Sequence, residues 1–209
     1  MREYILVDVD TQEDFLLAEG TRCIRNHRRV LMNIRRMMAW ARFNNIPVVS
    51  ICRILPDKSN AGGKISYTLL NHRFSFPATD CTDLPKDLLH RYQQIIFQKR
   101  CPDPFDEPLI DRMLSETRAN EFILIGVNLN NAISLTALGL LQRGRNVRIV
   151  VDAFGVYRAG EKELEFNKMK TKGAKFIEIK DLAGVSHLRQ VGACGCMRCN
   201  GSMRSIVTV

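Results

Sequence analysis

The sequence predicts a three-layer α/β/α sandwich around a six-stranded, mainly parallel sheet. Short apolar runs alternate with segments of helical periodicity along most of the chain, the rhythm of parallel strands joined by helical crossovers. The runs are almost continuously apolar, as strands are when helices cover both sheet faces. At 209 residues, 45% hydrophobic and 25% charged, the chain suits one substantial core and is short for two.

Element by element, Ile5 to Val9 reads as the first strand. A long helix follows from about Thr21 to Asn44, because Leu31, Ile34, Met37, Met38 and Ala41 recur at helical spacing. Ile46 to Ile51 is the second strand. Between residues 55 and 89 the pattern dissolves into Pro56, Asp57, Ser59, Asn60, Gly62 and Gly63, then Pro77, Thr79, Asp80 and Asp83, a surface excursion of a length that is usually functional or mobile. Regularity returns with a strand at Gln94 to Phe97, a helix near Pro108 to Thr117 and a fourth strand at Phe122 to Gly126. A helix from about Asn131 to Arg143 is closed by Gly144, a residue suited to a helix C-terminal cap. Val147 to Val151 is the fifth strand, Glu161 to Lys172 a helix, and Lys175 to Ile179 the sixth strand. Residues 1–190 read as one domain and residues 191–209 as a cysteine-rich tail.

Composition narrows the setting. No apolar stretch approaches the length that crosses a bilayer, and the N-terminus passes at once into Tyr4–Asp10, which lacks the long apolar run of a secretory signal. Seven cysteines, an odd number without an export signal, read as thiols in a reducing compartment, so the expected location is the cytoplasm. Thirty-one basic residues against 22 acidic ones give a formal charge of +9. Much of the excess lies in Arg22, Arg25, His27, Arg28, Arg29, Arg35 and Arg36 on one helix with no interleaved aromatics. It reads as a solvated face, and nucleic acid is not an expected partner.

In open parallel sheets ligands gather beyond the carboxyl ends of the strands. Three such ends carry polar residues: Asp10 closes the first strand, Lys99 follows the third, and Asn130 to Ala132 lies between the fourth strand and its helix. An aspartate beside a lysine in a confined cleft forms a coupled pair, the ammonium holding the carboxylate ionised until it accepts a proton. A nucleophile at the start of the next helix would gain from the positive end of the helix dipole and from backbone donors able to hold an oxyanion. Together these suit acyl transfer through a covalent intermediate. Yet the segment Gly126–Ala132 places alanine where the nucleophile should stand.

Val9-Asp10-Thr11-Gln12-Glu13-Asp14-Phe15 resembles the opening motif of the isochorismatase-like cysteine hydrolases, Lys99 with Phe105 their lysine motif, and Gly126 to Ala137 the segment bearing their cysteine. The resemblance spans nearly the whole chain in the right order. It implies Asp10 as general base, Lys99 as its charge partner and position 132 as the thiol nucleophile. It also implies an oxyanion pocket around Val127, Asn128, Asn131 and Ala132, shaped in the family by a non-proline cis peptide near Val127–Asn128. With Ala132 the covalent route is closed. The expected function is a small-molecule pocket in a hydrolase-like protein that has lost thiol-dependent amide hydrolysis. The alternatives are thiol-independent hydrolysis of a vinyl ether, as in the isochorismatases proper, an engineered alanine in place of a natural cysteine, or an oligomeric interaction protein.

Two other residues lie near enough in sequence to be candidates for the missing role. Ser134 lies about 200 degrees round a helix from position 132 and should point away. Cys101 shares the face of Lys99 if the segment stays extended, although Pro102 and Pro104 interrupt it. A nicotinamidase-type metal site is not expected, since the region after the second strand offers only His72. No cofactor is expected, with zinc at Cys194, Cys196 and Cys199 the one weak candidate, a fourth ligand coming from His187, another cysteine or a second subunit. Ser205 to Val209 could add an edge strand, and a homo-oligomer is the expected assembly.

Overall fold

The computed structural model describes residues 4–20, 22–54, 75–77, 94–127, 132–156 and 162–183. They form β1 (Tyr4–Val9), α1 (Glu13–Leu16), α2 (His27–Phe43), β2 (Val48–Arg53), β3 (Ser75–Pro77), β4 (Gln94–Lys99), a 3-10 turn at Pro104–Asp106, α3 (Pro108–Glu116), β5 (Glu121–Val127), α4 (Ser134–Gln142), β6 (Asn146–Gly155), α5 (Lys162–Thr171) and β7 (Lys175–Ile177). The strands make one sheet in the order β3-β4-β2-β1-β5-β6-β7, every pairing parallel.

The α/β/α architecture is the one expected, and each of the six foreseen strands is present, although the sixth stops at Ile177 and Ile179, expected within it, is helical. The sheet has a seventh member, because the three residues of β3 pair with Gln94, Ile95 and Ile96 at its edge. The long first helix is shorter than its periodicity suggested. Ile24 is tied back to α1 by Ile24 N–H to Phe15 O at 3.0 Å, so α2 begins only at His27. β6 runs on to Gly155, past the predicted Val151, through an irregularity in which Leu124 pairs with Ile149 but Gly126 with Phe154.

Side-chain alternation divides the core into two. Val7, Val9, Ile51, Phe97 and Leu124 face α3, α4 and α5, with Ile110, Met113, Leu140 and Met169 packed over them. Leu6, Val48, Ile123 and Ile125 face the other way, under Phe15 and Leu16 of α1 and Val30, Ile34, Met37 and Ala41 of α2. Residues 30, 34, 37 and 41 are the apolar stripe of an amphipathic helix, so α2 spends its hydrophobic face on the sheet.

Helix ends follow local chemistry. After α2, Asn45 takes the left-handed conformation (φ 53°), Ile46 N–H reaches Ala41 O at 2.8 Å and Asn45 N–H reaches Arg42 O at 3.1 Å. This is the bond pair of a Schellman motif. Gly144 (φ 72°) closes α4 the same way, through Arg145 N–H to Leu140 O at 3.0 Å, as the sequence led one to expect.

The strand order fixes where a ligand can sit. From β1 the sheet grows outward through β2 on one side and through β5 on the other, so the connections diverge between β1 and β5. A crevice at the carboxyl ends of those two strands is the usual ligand position in such sheets.

Candidate functional site

Asp10 stands at that switch point. Strand alternation would put it on the face of Leu6 and Asp8, whereas Lys99 shares the face of Ile95 and Phe97 two strands away. A left-handed turn resolves the mismatch: Asp10 has φ 54°, which breaks the alternation and lets its carboxylate meet Lys99. The Lys99 ammonium lies 3.5 Å from Asp10 Oδ1, and both side chains are 0% exposed. Lys99 also donates to Pro102 O at 3.0 Å. Burial lowers the lysine's pKa, the Asp10 charge and hydrogen bond pull it back up, and the nearby Arg53 charge lowers it again.

The turn at Asp10 is held from several sides. Its N–H donates to Ile51 O at 2.9 Å, and Gln12 N–H donates to Asp10 O at 2.9 Å. The buried Gln12 amide makes a reciprocal pair with the end of β2, donating to Arg53 O and accepting from Arg53 N–H, each at 2.8 Å. Gly126 is the neighbour in register with Val9, and a Cβ there would fall 2.0 Å from Val9 O. Only glycine lets β5 approach the end of β1 this closely, and its φ of 129° also requires glycine.

Beneath the pair lies a second carboxylate that sequence reasoning missed. Asp8 is buried; it accepts from Thr11 Oγ1, and from Ser50 Oγ at 3.2 Å, while Ser50 accepts from Gln94 Nε2 at 2.8 Å. Burial pushes its carboxyl up to about 7, the two hydroxyls pull it down, and the Asp10 charge pushes it up further. The signal was present in the sequence, since Asp8 and Ser50 are polar residues inside apolar strand runs.

The lysine motif acquires a structural meaning through Phe105. Asp103 caps the 3-10 turn by accepting from Phe105 N–H at 2.9 Å, and the ring lies against Gly139 of α4, where an added Cβ would be 2.1 Å from it. The Arg143 guanidinium covers the same ring at 3.8 Å from its centroid. The loop after Lys99 is thereby tied to the helix that begins beside position 132.

Ala132 is buried in the core shared with Val9 and Phe97, in the single turn that leads into α4. Its carbonyl accepts from Thr136 Oγ1 at 2.6 Å. Ser134 points elsewhere, donating to Glu165 Oε2 at 2.6 Å. Val127 belongs to the core under α2, so only its backbone remains to face a ligand. Asn128 and Asn131, the Val127–Asn128 peptide, His72, His187, Cys194, Cys196, Cys199 and the 205–209 segment lie outside the described residues.

The thiol considered as a substitute, Cys101, is exposed while Lys99 is buried. The segment does not stay extended. Ile54 N–H donates to Lys99 O at 2.9 Å and Arg100 N–H to Glu107 Oε1 at 2.9 Å, as the chain turns away from the sheet. The buried thiol near the pair is instead Cys52, whose pKa burial raises well above normal, Asp8 and Asp10 adding to the rise and Lys99 opposing it. A thiol held neutral in this way is a poor nucleophile. Among the described residues no three histidine, cysteine or acidic side chains are grouped to hold a metal ion, and no helix is long and apolar enough to cross a membrane.

Comparison with known proteins identifies the family and the fold. The isochorismatase domain matches residues 4–181. Among solved structures, the chain is similar to an isochorismatase family protein from Desulfovibrio vulgaris subsp. vulgaris str. Hildenborough, with 20% identity over 89% of this chain and 99% of that one and a TM-score of 0.66. It is similar over 100% of its length to 92% of the MAR1 ribonuclease from Caenorhabditis elegans, at 20% identity and a TM-score of 0.60. The ycaC gene product of Escherichia coli, an octameric hydrolase of unknown specificity, matches at 16% identity over 84% of this chain and 75% of that one, with a TM-score of 0.60. No curated protein matches.

Proposed function

This chain belongs to the isochorismatase domain family, and we propose that it is a hydrolase-like protein that binds a small polar ligand at the ends of β1, β4 and β5 without forming a covalent intermediate. The observation that carries the reading is the buried Asp10–Lys99 pair at 3.5 Å, held by a left-handed turn at Asp10. Isolated buried charges are costly, and a backbone conformation that aspartate adopts infrequently is used to bring these two together. The ammonium keeps the carboxylate ionised, and the carboxylate can take an N–H or O–H proton from a ligand. At position 132 a methyl group replaces the reactive atom, and neither Cys52 nor Cys101 offers a thiolate beside Asp10.

The test is turnover of a panel of small amides by the protein and by Ala132→Cys. Silence in the first and hydrolysis in the second is the expected pair of results. Hydrolysis of these amides by the unaltered protein would overturn the reading. A second reading, thiol-independent hydrolysis of a vinyl ether, is favoured by the same intact pair, with Asp10 passing a proton to the terminal vinyl carbon and regaining one from the water that adds, after which the hemiketal C–O bond breaks and the alcohol leaves. It requires turnover that Asp10→Asn abolishes. The octameric Escherichia coli relative supports a homo-oligomer here, and the cytoplasm remains the proposed location.

A further inference from the structure

The positive charge of this protein is concentrated. Between residues 20 and 45 the chain carries Arg22, Arg25, Arg28, Arg29, Arg35, Arg36 and Arg42 and no aspartate, glutamate or lysine. Seven of the net +9 charges thus lie in 26 residues, leaving 9 − 7 = +2 for the remaining 183.

The fold turns the first part of this run outward and leaves Arg35, Arg36 and Arg42 half-buried. Val30, Ile34, Met37 and Ala41 are consumed by the sheet, so the opposite side of α2 faces away from the protein. At about 100 degrees per residue, Arg29, Met32, Arg36 and Phe43 fall within about 60 degrees of one another on that side, with Arg28 and Arg35 flanking them. Arg22, Arg25, Arg28 and Arg29 are exposed, Met32 is 45% exposed and Phe43 71%.

Among the described arginines outside this run, Arg112, Arg143 and Arg148 are ion-paired, with Glu116, Asp111 and Glu121, and Arg145 is held by backbone carbonyls, whereas Arg53, Arg100 and Arg118 are in no salt bridge. Among the described residues none of the seven is in a salt bridge. Arg36 donates to Asn33 Oδ1 at 3.1 Å and to Met32 Sδ at 3.9 Å, both neutral. Asp152 is the nearby acid, close enough to feel the charge of Arg29.

We propose that the outer face of α2 binds the phosphate backbone of a single-stranded nucleic acid. Exclusive use of arginine fits phosphate, which the planar guanidinium grips through two parallel N–H bonds. Rows one helical turn apart, about 5.4 Å, place successive guanidinium groups along a flexible strand. Met32 and Phe43 on the same face give unstacked bases an apolar surface that a duplex would not use. The expectation of no nucleic-acid partner rests on a basic run that reads as a solvated face without interleaved aromatics; Phe43, next to Arg42, adds one exposed aromatic to this face. A membrane surface is disfavoured because the apolar side of α2 is already buried, leaving nothing to insert. A second copy docking symmetrically on this face would set arginine against arginine.

The probe is a fluorescein-labelled 20-nucleotide single-stranded RNA of mixed sequence, with the matching DNA strand, the DNA duplex and phosphatidylserine vesicles as parallel arms. Anisotropy should show binding of both single strands that weakens steeply with salt. The triple variant Arg25→Gln/Arg28→Gln/Arg29→Gln should bind about tenfold or more weakly, with a log–log salt slope shallower by about 2, since each phosphate contact to a single strand contributes about 0.7. A control triple, Lys170→Gln/Lys172→Gln/Lys175→Gln, removes equal charge from another exposed surface and should leave affinity nearly unchanged. Equal loss in both triples, absence of binding, tighter binding to the duplex, or binding to vesicles alone would each overturn the proposal. A thermal midpoint matching that of the parent protein shows that the arginine triple has folded.

Discussion

Charge is handled in opposite ways at two places in this molecule. At the ends of β1 and β4, Asp10 and Lys99 are fully buried and face each other, and Asp8 lies close beneath with two hydroxyl partners. On the outer face of α2, Arg28 and Arg29 stand exposed with no carboxylate paired to them among the described residues. A buried charge is stable only while its partners remain in place, so the first region is rigid and intolerant of single changes. An exposed charge is screened by water and salt, so the second costs the fold little and stays available to a partner.

The contrast predicts a hierarchy of effects. Lys99→Met leaves Asp10 buried beside an apolar group and should cost about 3–5 kcal/mol in urea unfolding. Arg28→Gln or Arg29→Gln should stay within about 0.5 kcal/mol. Comparable losses in the two regions would erase the distinction.

Next in size is a pH effect. Burial pushes the Asp8 carboxyl up to about 7 from its ordinary 3.8, so the folded state keeps a proton that the unfolded state releases. Stability should therefore fall as pH rises from about 4 to about 7 and level off above, a change of up to about 4 kcal/mol. Asp8→Asn, which cannot ionise, should flatten this slope in unfolding curves taken across that range. An unchanged slope would show that Asp8 is not the group responsible.

Smaller effects test the scaffold. Gly139→Ala drives a methyl into the Phe105 ring and should cost about 1–3 kcal/mol. Gly144→Ala has open space around it and strain from its φ of 72° alone, so about 1 kcal/mol is expected. Thermal midpoints of the two variants should keep that order.

The sequence displayed the parts of this architecture whose signal is local. Apolar runs such as Phe122–Ile125 announce strands because both faces are covered, and Gly144 announces a helix end because left-handed backbone favours glycine. Ser75-Phe76-Pro77 was hidden because three residues ending in proline do not resemble a strand; edge pairing with β4 makes them one. Asp10 and Lys99 were legible as strand-end polar residues, but the left-handed turn that joins them was not, since aspartate tolerates that conformation without demanding it. Phe105 against Gly139 links residues far apart in the chain, a relation that spacing does not carry. Cys101 would share the face of Lys99 only in an extended segment, whereas the chain folds back after Lys99. Nothing local in the sequence marks Cys52, and only the three-dimensional position of Asp8, Asp10 and Lys99 makes its environment special.

The central claim is that Asp10 and Lys99 form a working proton-accepting pair that lacks only a thiol at position 132. It is tested most directly by the alkylation rate of that position in Ala132→Cys with iodoacetamide near pH 6, read by peptide mass mapping to separate it from the seven native cysteines. The account predicts labelling much faster than at exposed Cys101 and a large drop when Asp10→Asn is added. Labelling no faster than Cys101, or insensitive to Asp10→Asn, would contradict it.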